Sequence, residues 1–470
     1  MKRYFMLLAI LWVGPALADR IFVDGFDPPH IDPQFPIVDG EFQLPDEPAS
    51  NQLAWVLSEL QTGENTTLAE VQAHFDPTFD AAAMQTFMND LRGYFPDARV
   101  IDVVGVTPVA LTAVIDSPDQ APPHGWLLLN ARYTGDNLIR YFGVYNIGDT
   151  VVYPVDQNLD LTQAADKFVT LSANPGLVVA RIRGNQVCEV VTGRNEATLR
   201  ATASIFKIWV LGSVAQAVAG GSIRVEDLIP LVASELAPGS EIINEPLGTM
   251  FPVEDMATLM MGISDNTATD HMHALVGRDA IEQTVSDFGH SAPDVLRPFL
   301  GISEQFHLFY SFPLSTALAY VNGTEAYQEQ FLHDQIEPLG SIVGDPYTYS
   351  NFDIFLNGTW QASPMDVCRA FAHLRSLPQG SDAITMVDRA LGAQAAQPNV
   401  RAHWDRVWYK GGSLSRTTGD YDVLTHAWML ENAGEDPWVV VAMSNQLGGG
   451  IEEYQVQSVT GRILELLANM

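Results

Sequence analysis

The chain has 470 residues, a formal net charge of -33 and 47% hydrophobic residues. That length allows two or three domains with sizeable cores, while the strongly acidic balance speaks against nucleic acid or an anionic membrane as partner. The only cysteines, Cys188 and Cys368, exclude a disulfide scaffold and a cysteine-based metal site, and leave open one disulfide or two buried thiols.

The first segment reads MKRYFMLLAILWVGPALADR, two basic residues ahead of an apolar run from Tyr4 to Val13 and an Ala16-Leu17-Ala18 end. This predicts a cleaved secretory signal over 1–18, too short for a bilayer anchor, and hence an exported protein, periplasmic or secreted. No cysteine follows to carry a lipid, and no other stretch has the ~18 uninterrupted apolar residues of a membrane span. Residues 19–48 carry six prolines and many acids without helical or strand period, which predicts an extended tether.

From Asn51 the period changes. Leu53, Val56, Leu57 and Leu60 recur at helical spacing, Thr67-Leu68-Ala69-Glu70 reads as a capping box, and a third amphipathic stretch surrounds Met84 to Leu91. Three β-rich segments follow: ARVIDVVGVTPVALTAVID, WLLLNARY and LIRYFGVYNIG. Helices first and strands after predict a small α+β domain over 49–153. The ordering resembles the cone-shaped fold of nuclear transport factor 2 and ketosteroid isomerase, but no acid–base pair stands out in it.

A second domain is expected over 159–470. LVVARIRGNQVCEVVTG predicts a hairpin turning at Gly184-Asn185, followed by a buried helix in ATASIFKIWVLGSVAQAV. DVLTHAWML and PWVVVAMSN read as further strands, and 451–469 as an amphipathic helix. Strands from both ends with helices between predict an antiparallel sheet flanked by helices plus an all-helical lobe, with a cleft between.

Three motifs fall in order within this domain. Ser204-Ile205-Phe206-Lys207 puts a hydroxyl and an amine one turn apart on one helix face. Lysine is scarce here, with four in the chain (Lys2, Lys167, Lys207 and Lys410), and Lys207 sits among apolar neighbours. Desolvation there lowers its pKa, and a neutral amine beside a hydroxyl activates a serine nucleophile. The plain alternative is a lysine whose charge snorkels to solvent. Next, Ser264-Asp265-Asn266 interrupts two helical patterns, offering a proton-relay hydroxyl and a substrate-orienting amide, or else a helix cap. Last, Lys410-Gly411-Gly412-Ser413 follows the strand Val407 to Tyr409, where glycines let a ligand approach backbone, or where a strand simply ends in a Gly-Gly turn.

The three motifs together, in this order, resemble the S-x-x-K, S-D-N and K-T-G set of the class A serine β-lactamase and penicillin-binding protein superfamily, across about 160–470. With its N-terminal α+β domain the whole chain is similar to the two-domain serine hydrolases of clavulanic acid clusters. The resemblance implies Ser204 as acylated nucleophile, Lys207 as its base, and Ser264 with Lys410 as the relay to the leaving group. It also implies that Asn266 binds the substrate amide and that the backbone N–H groups of Ser204 and Ser413, set by Gly412, form an oxyanion hole. No metal or organic cofactor is implied.

Two departures follow from the same resemblance. Gly411 replaces the hydroxyl residue of K-T-G, with Ser413 or Ser415 as the neighbouring hydroxyls. The family's E-x-x-L-N loop has its nearest match in Asp353-Ile354-Phe355-Leu356-Asn357, which makes Asp353 the candidate deacylation base. The stretch from about Pro293 to Asn351 looks long and is expected to form a lid or a wall. The function expected is an exported serine hydrolase acting on a β-lactam amide or an ester. The alternatives are a peptidase on D-alanyl peptides, or a penicillin-recognising module that is acylated without turnover.

Overall fold

The computed structural model describes residues 35–38, 41–118, 124–148, 154–184, 186–342 and 348–470. The signal segment and most of the tether lie outside these. The part of it inside them makes contact with the folded chain at Phe35. Phe35 is buried under the Arg401 guanidinium, 4.8 Å from its ring, and Ile37–Val38 pairs with Glu41–Phe42. Proline removes periodicity, but it does not prevent a lone aromatic from finding a core.

The N-terminal half places three helices, Pro48–Glu59, Leu68–His74 and Ala81–Tyr94, on a four-stranded antiparallel meander. The second helix carries the expected Thr67–Glu70 capping box. The first β-rich segment is two strands, Arg99–Val106 and Ala110–Asp116, because Pro108 cannot continue a ladder and Thr107 closes the turn onto Ala110. His124–Ala131 and Ile139–Gly148 complete the sheet. Leu53, Val56, Met84 and Met88 from the helices meet Leu111, Ala113, Leu127 and Leu129 from the strands in one core.

The C-terminal half is built on a five-stranded antiparallel sheet with strand order Arg406–Thr417, Asp420–Glu431, Trp438–Asn445, Asn174–Arg183, Val187–Arg194. Strand alternation sorts its residues between two faces. Val439, Val441 and Met443 join the large core of the helical lobe. Trp438, Val440 and Ala442 join a core under Leu161–Phe168 and Glu453–Ala468. The helix Lys207–Ala219 is buried almost all round, as its unbroken apolar sequence requires. Cys188 and Cys368 form a disulfide that ties the sheet's outer strand to the helix Pro364–Arg375.

The described part of the stretch from Pro293 packs onto the helical lobe. Its helices Ile302–Tyr310 and Leu314–Val321 send Leu308, Phe309 and Ala317 into the main core. The two halves are joined by backbone bonds, Val106 N to Ala393 O and Ala395 N to Val104 O, both 2.8 Å. Arg389 of the C-terminal half adds an ion pair across to Glu47 at 2.5 Å and holds Asp255 of its own half at 2.7 Å. Among the described residues no helix is long and apolar enough to cross a membrane.

Candidate active site

Ser204 lies on a 3-10 turn, Ala203–Phe206, which runs into the α-helix beginning at Lys207. Residues three apart eclipse in a 3-10 turn, so Ser204 and Lys207 project from the same side. Ala203, Ile205 and Phe206 are buried, which leaves Ser204 as the half-exposed residue of the turn. The backbone entering it is fixed from several directions. Thr202 N donates to Trp360 O at 3.0 Å, Thr425 Oγ1 donates to Thr202 O at 2.9 Å, and Asn445 brackets the Ala201 peptide. Ala203 takes a left-handed φ of 45°, so the turn is held in a conformation that its own sequence disfavours.

Lys207 does not reach solvent; it is 0% exposed. Its Nζ donates to Ser264 O at 2.7 Å, Asn266 Oδ1 at 2.7 Å and Ser264 Oγ at 3.1 Å. Burial pushes its pKa down to about 7, against the pull of the Asp265 and Asp270 carboxylates.

Ser264 occupies the tight connection between the helices Val253–Gly262 and Asn266–Val276, with a left-handed φ of 58°. That conformation turns both its carbonyl and its hydroxyl toward Lys207. It is braced by Asp265, the N-cap residue, whose carboxylate accepts from Ala268 N, Ser240 Oγ, Glu241 N and Ile242 N. The capping reading of this motif is therefore correct for Asp265, and Ser264 is left free to serve the two lysines.

The strand Arg406–Thr417 runs straight through the two glycines, so they do not end it. It is the edge of the sheet, and alternation puts Lys410 and Gly412 on the helical-lobe side. Lys410 is 1% exposed and donates to Ser264 Oγ at 3.0 Å and to Gly411 O at 2.6 Å. Burial and the neighbouring Lys207 charge hold its pKa well below the ordinary lysine value. Gly412 is dictated by close approach, because a Cβ there would lie 2.5 Å from Ser204 N and 2.8 Å from Thr202 O. Ser413, the next residue, is exposed on the free edge.

Gly411 faces the other side of the sheet. A Cβ there would lie 2.1 Å from the Tyr409 hydroxyl, which is bonded to His426 Nδ1 at 2.8 Å. The departure from K-T-G thus has a local cause, since the Tyr409 ring already fills the space above position 411. No compensation by Ser413 or Ser415 is needed to explain it.

The structure therefore brings together Lys207, Ser264, Lys410 and Asn266 by hydrogen bonds, with Ser204 and Gly412 in backbone contact beside them. The Asn266 amide is engaged at both ends, Oδ1 accepting from Lys207 at 2.7 Å and Nδ2 donating one hydrogen to Pro238 O at 2.6 Å, which leaves its second amide hydrogen. Asp353 is not part of the cluster. It is exposed on the turn Phe352–Ile354 and makes no hydrogen bond or ion pair among the described residues. Its neighbours Ile354 and Phe355 take the inward positions, which leaves Asp353 facing water. Sequence reasoning missed Thr425, which ties two strands to the Ser204 turn, because its partners Thr202 and Gly412 are remote in sequence. It also missed Asp270, whose carboxylate caps the helix at Ile302. An acid buried four residues after Asn266 in a helical pattern was the available signal.

Residues 161–463 match the model of the beta-lactamase enzyme family. No curated protein matches the chain. Among solved structures, a beta-lactamase from Chitinophaga pinensis DSM 2588 aligns at 15% identity over 66% of this chain and 97% of its own, with a TM-score of 0.45. A beta-lactamase from Sphaerobacter thermophilus DSM 20745 aligns at 20% identity over 66% of this chain and 96% of its own, with a TM-score of 0.42.

Proposed function

The chain belongs to the beta-lactamase enzyme family, and on that premise we propose that it is an exported serine hydrolase in which Ser204 is acylated by a β-lactam amide or an ester. The observation that carries this reading is the Ser264 hydroxyl held between two buried amines beside the Ser204 turn. In the proposed reaction the Ser204 hydroxyl oxygen attacks the substrate carbonyl carbon and its proton passes to the neutral Lys207 amine. The backbone N–H groups of Ser204 and Ser413 take up the negative charge that develops on the carbonyl oxygen. Collapse breaks the bond to the leaving nitrogen or oxygen, which takes the Ser264 proton, and Lys410 or the protonated Lys207 restores it. Asn266 presents its remaining amide hydrogen to the substrate. Export is supported by the N-terminal signal pattern and by the Cys188–Cys368 disulfide, which suits an oxidising compartment. The 49–153 region is proposed as a separate domain of nuclear transport factor 2 type that shapes access to the site.

One observation favours slow release of the acyl group. Asp265 and Asp270, the carboxylates acting on Lys207, are already engaged by backbone N–H groups, and Asp353 is exposed, with no hydrogen bond or ion pair to the cluster among the described residues. A long-lived acyl-enzyme is therefore the second reading. Parallel assays with nitrocefin, a p-nitrophenyl ester and a D-alanyl-D-alanine peptide separate the substrate classes. Turnover of the first or second that vanishes in Ser204→Ala supports the proposal. Turnover that survives Ser204→Ala contradicts it.

A further inference from the structure

Behind the nucleophile turn lies a cavity of about 90 Å³ that none of the proposed chemistry uses. Four side chains lining it carry buried polar atoms without a hydrogen-bond partner: Arg297 Nε, Gln305 Oε1, Tyr320 OH and Thr359 Oγ1. Gln305, Tyr320 and Thr359 are 0, 4 and 8% exposed. An unpaired buried polar atom costs about 1–3 kcal/mol, so four around one space are unlike ordinary core packing. Gln305 is fixed by its other end, Nε2 donating to Gly358 O at 2.9 Å, which leaves Oε1 as an acceptor. Burial raises the Tyr320 pKa, so its hydroxyl stays protonated and able to donate. Arg297 sits at the more exposed rim, with Glu282 at 3.9 Å, beyond hydrogen-bond reach.

We infer that this cavity is a binding site for a small 2-hydroxycarboxylate, separate from the Ser204 site. The donor set carries the assignment. Arg297, Tyr320 and Thr359 offer N–H and O–H groups to the carboxylate oxygens, and Gln305 Oε1 accepts from the ligand hydroxyl. At roughly 10–15 Å³ of such volume for one water-sized group, the space holds about six to nine non-hydrogen atoms, room enough for a small 2-hydroxycarboxylate. The wall shared with the active site is Trp360. Its indole stacks on Phe206 at 3.7 Å between ring centroids, and its carbonyl accepts from Thr202 N. A ligand against Trp360 thus touches the segment that positions Ser204.

Titration calorimetry of the full-chain protein with lactate, glycolate and acetate tests the inference. Lactate and glycolate are expected to bind saturably, and acetate, which lacks the hydroxyl, about tenfold or more weakly, the worth of one well-placed hydrogen bond. Tyr320→Phe with Thr359→Val should weaken lactate by a similar factor, while Ser204→Ala should leave it unchanged. Absence of saturable lactate binding to the parent protein up to ~50 mM, well above a millimolar dissociation constant, would overturn the inference. So would loss of lactate binding in Ser204→Ala, which would place the ligand in the active site. A lactate-soaked crystal supplies the check that needs no variant. Lactate on Gln305 and Tyr320 supports the site, and ordered water alone on all four side chains refutes it.

Discussion

Lys207 and Lys410 meet across one hydroxyl: Ser264 Oγ lies 3.1 Å from the first amine and 3.0 Å from the second. The two nitrogens are thus within about 6 Å of each other, where two ammonium charges repel by about 3 kcal/mol at an effective dielectric of 20. Both are buried, so desolvation acts in the same direction as repulsion. The pair therefore favours holding at least one amine neutral. The shared hydroxyl can then donate to that amine while accepting from the other, which is the arrangement a proton relay requires.

With Lys207 pushed down to about 7, acylation should fall about tenfold per unit below that pH and level off above it. The stability effect has a definite sign. Between about 7 and the ordinary 10.5, the unfolded chain holds a proton on Lys207 that the folded chain lacks, so this residue makes stability rise with pH over that window. Asp270, raised to about 7 from 3.8 by burial, acts oppositely between 3.8 and about 7, because in that window the folded chain keeps a proton the unfolded chain has lost. Single-turnover acylation across pH 5–9 and the difference in unfolding free energy between parent and Lys207→Met check both statements.

Removing the shared hydroxyl tests the relay. Ser264→Ala and Lys410→Ala should each slow acylation by about 10²–10⁴-fold, the range of a lost acid–base group. The double variant should lose little more than the worse single one, because members of a unit are not additive. Independent, multiplying losses in single-turnover rates would contradict the relay.

The two glycines of the third motif should answer differently to substitution. Gly411→Thr drives a side chain into Tyr409 and is expected to cost about 1–3 kcal/mol without raising β-lactam turnover. Gly412→Ala pushes the edge strand off the Ser204 turn and should abolish acylation even in protein that remains folded. Urea melts paired with penicillin labelling separate the two effects.

Reduction of Cys188–Cys368 opens a link between residues 180 positions apart. Neither cysteine contributes to the Ser204 cluster. Reduced protein is expected to lose about 2–4 kcal/mol of stability while keeping its acylation rate. A rate that collapsed under conditions where the fold persisted would show that the helix Pro364–Arg375 positions the site.

The sequence made the chemistry legible where one residue type was both rare and misplaced. Lys207 and Lys410 are two of four lysines in the chain, each amid apolar neighbours, and both lie in the cluster. The sheet was legible because its strands sit in unbroken β-branched runs such as Val439–Val441. Other features depend on residues that meet only in three dimensions. The Ser264 conformation comes from Asp265 bonding to Ser240 and Glu241, and the Gly411 departure comes from Tyr409 standing on the same sheet face. Asp353 was selected by a local motif match, but the apolar side chains around it decide which residue points inward. The four unpaired groups behind Trp360 come from separate elements and share no local pattern.

The central claim is a covalent bond between Ser204 and substrate. Intact-mass measurement at intervals after adding a β-lactam tests it most directly. The account predicts a mass increase equal to one β-lactam on the parent protein, persisting for the time set by deacylation, and no increase on Ser204→Ala. An adduct of equal amount and lifetime on Ser204→Ala, or hydrolysed product from that variant at the parent rate, would contradict it.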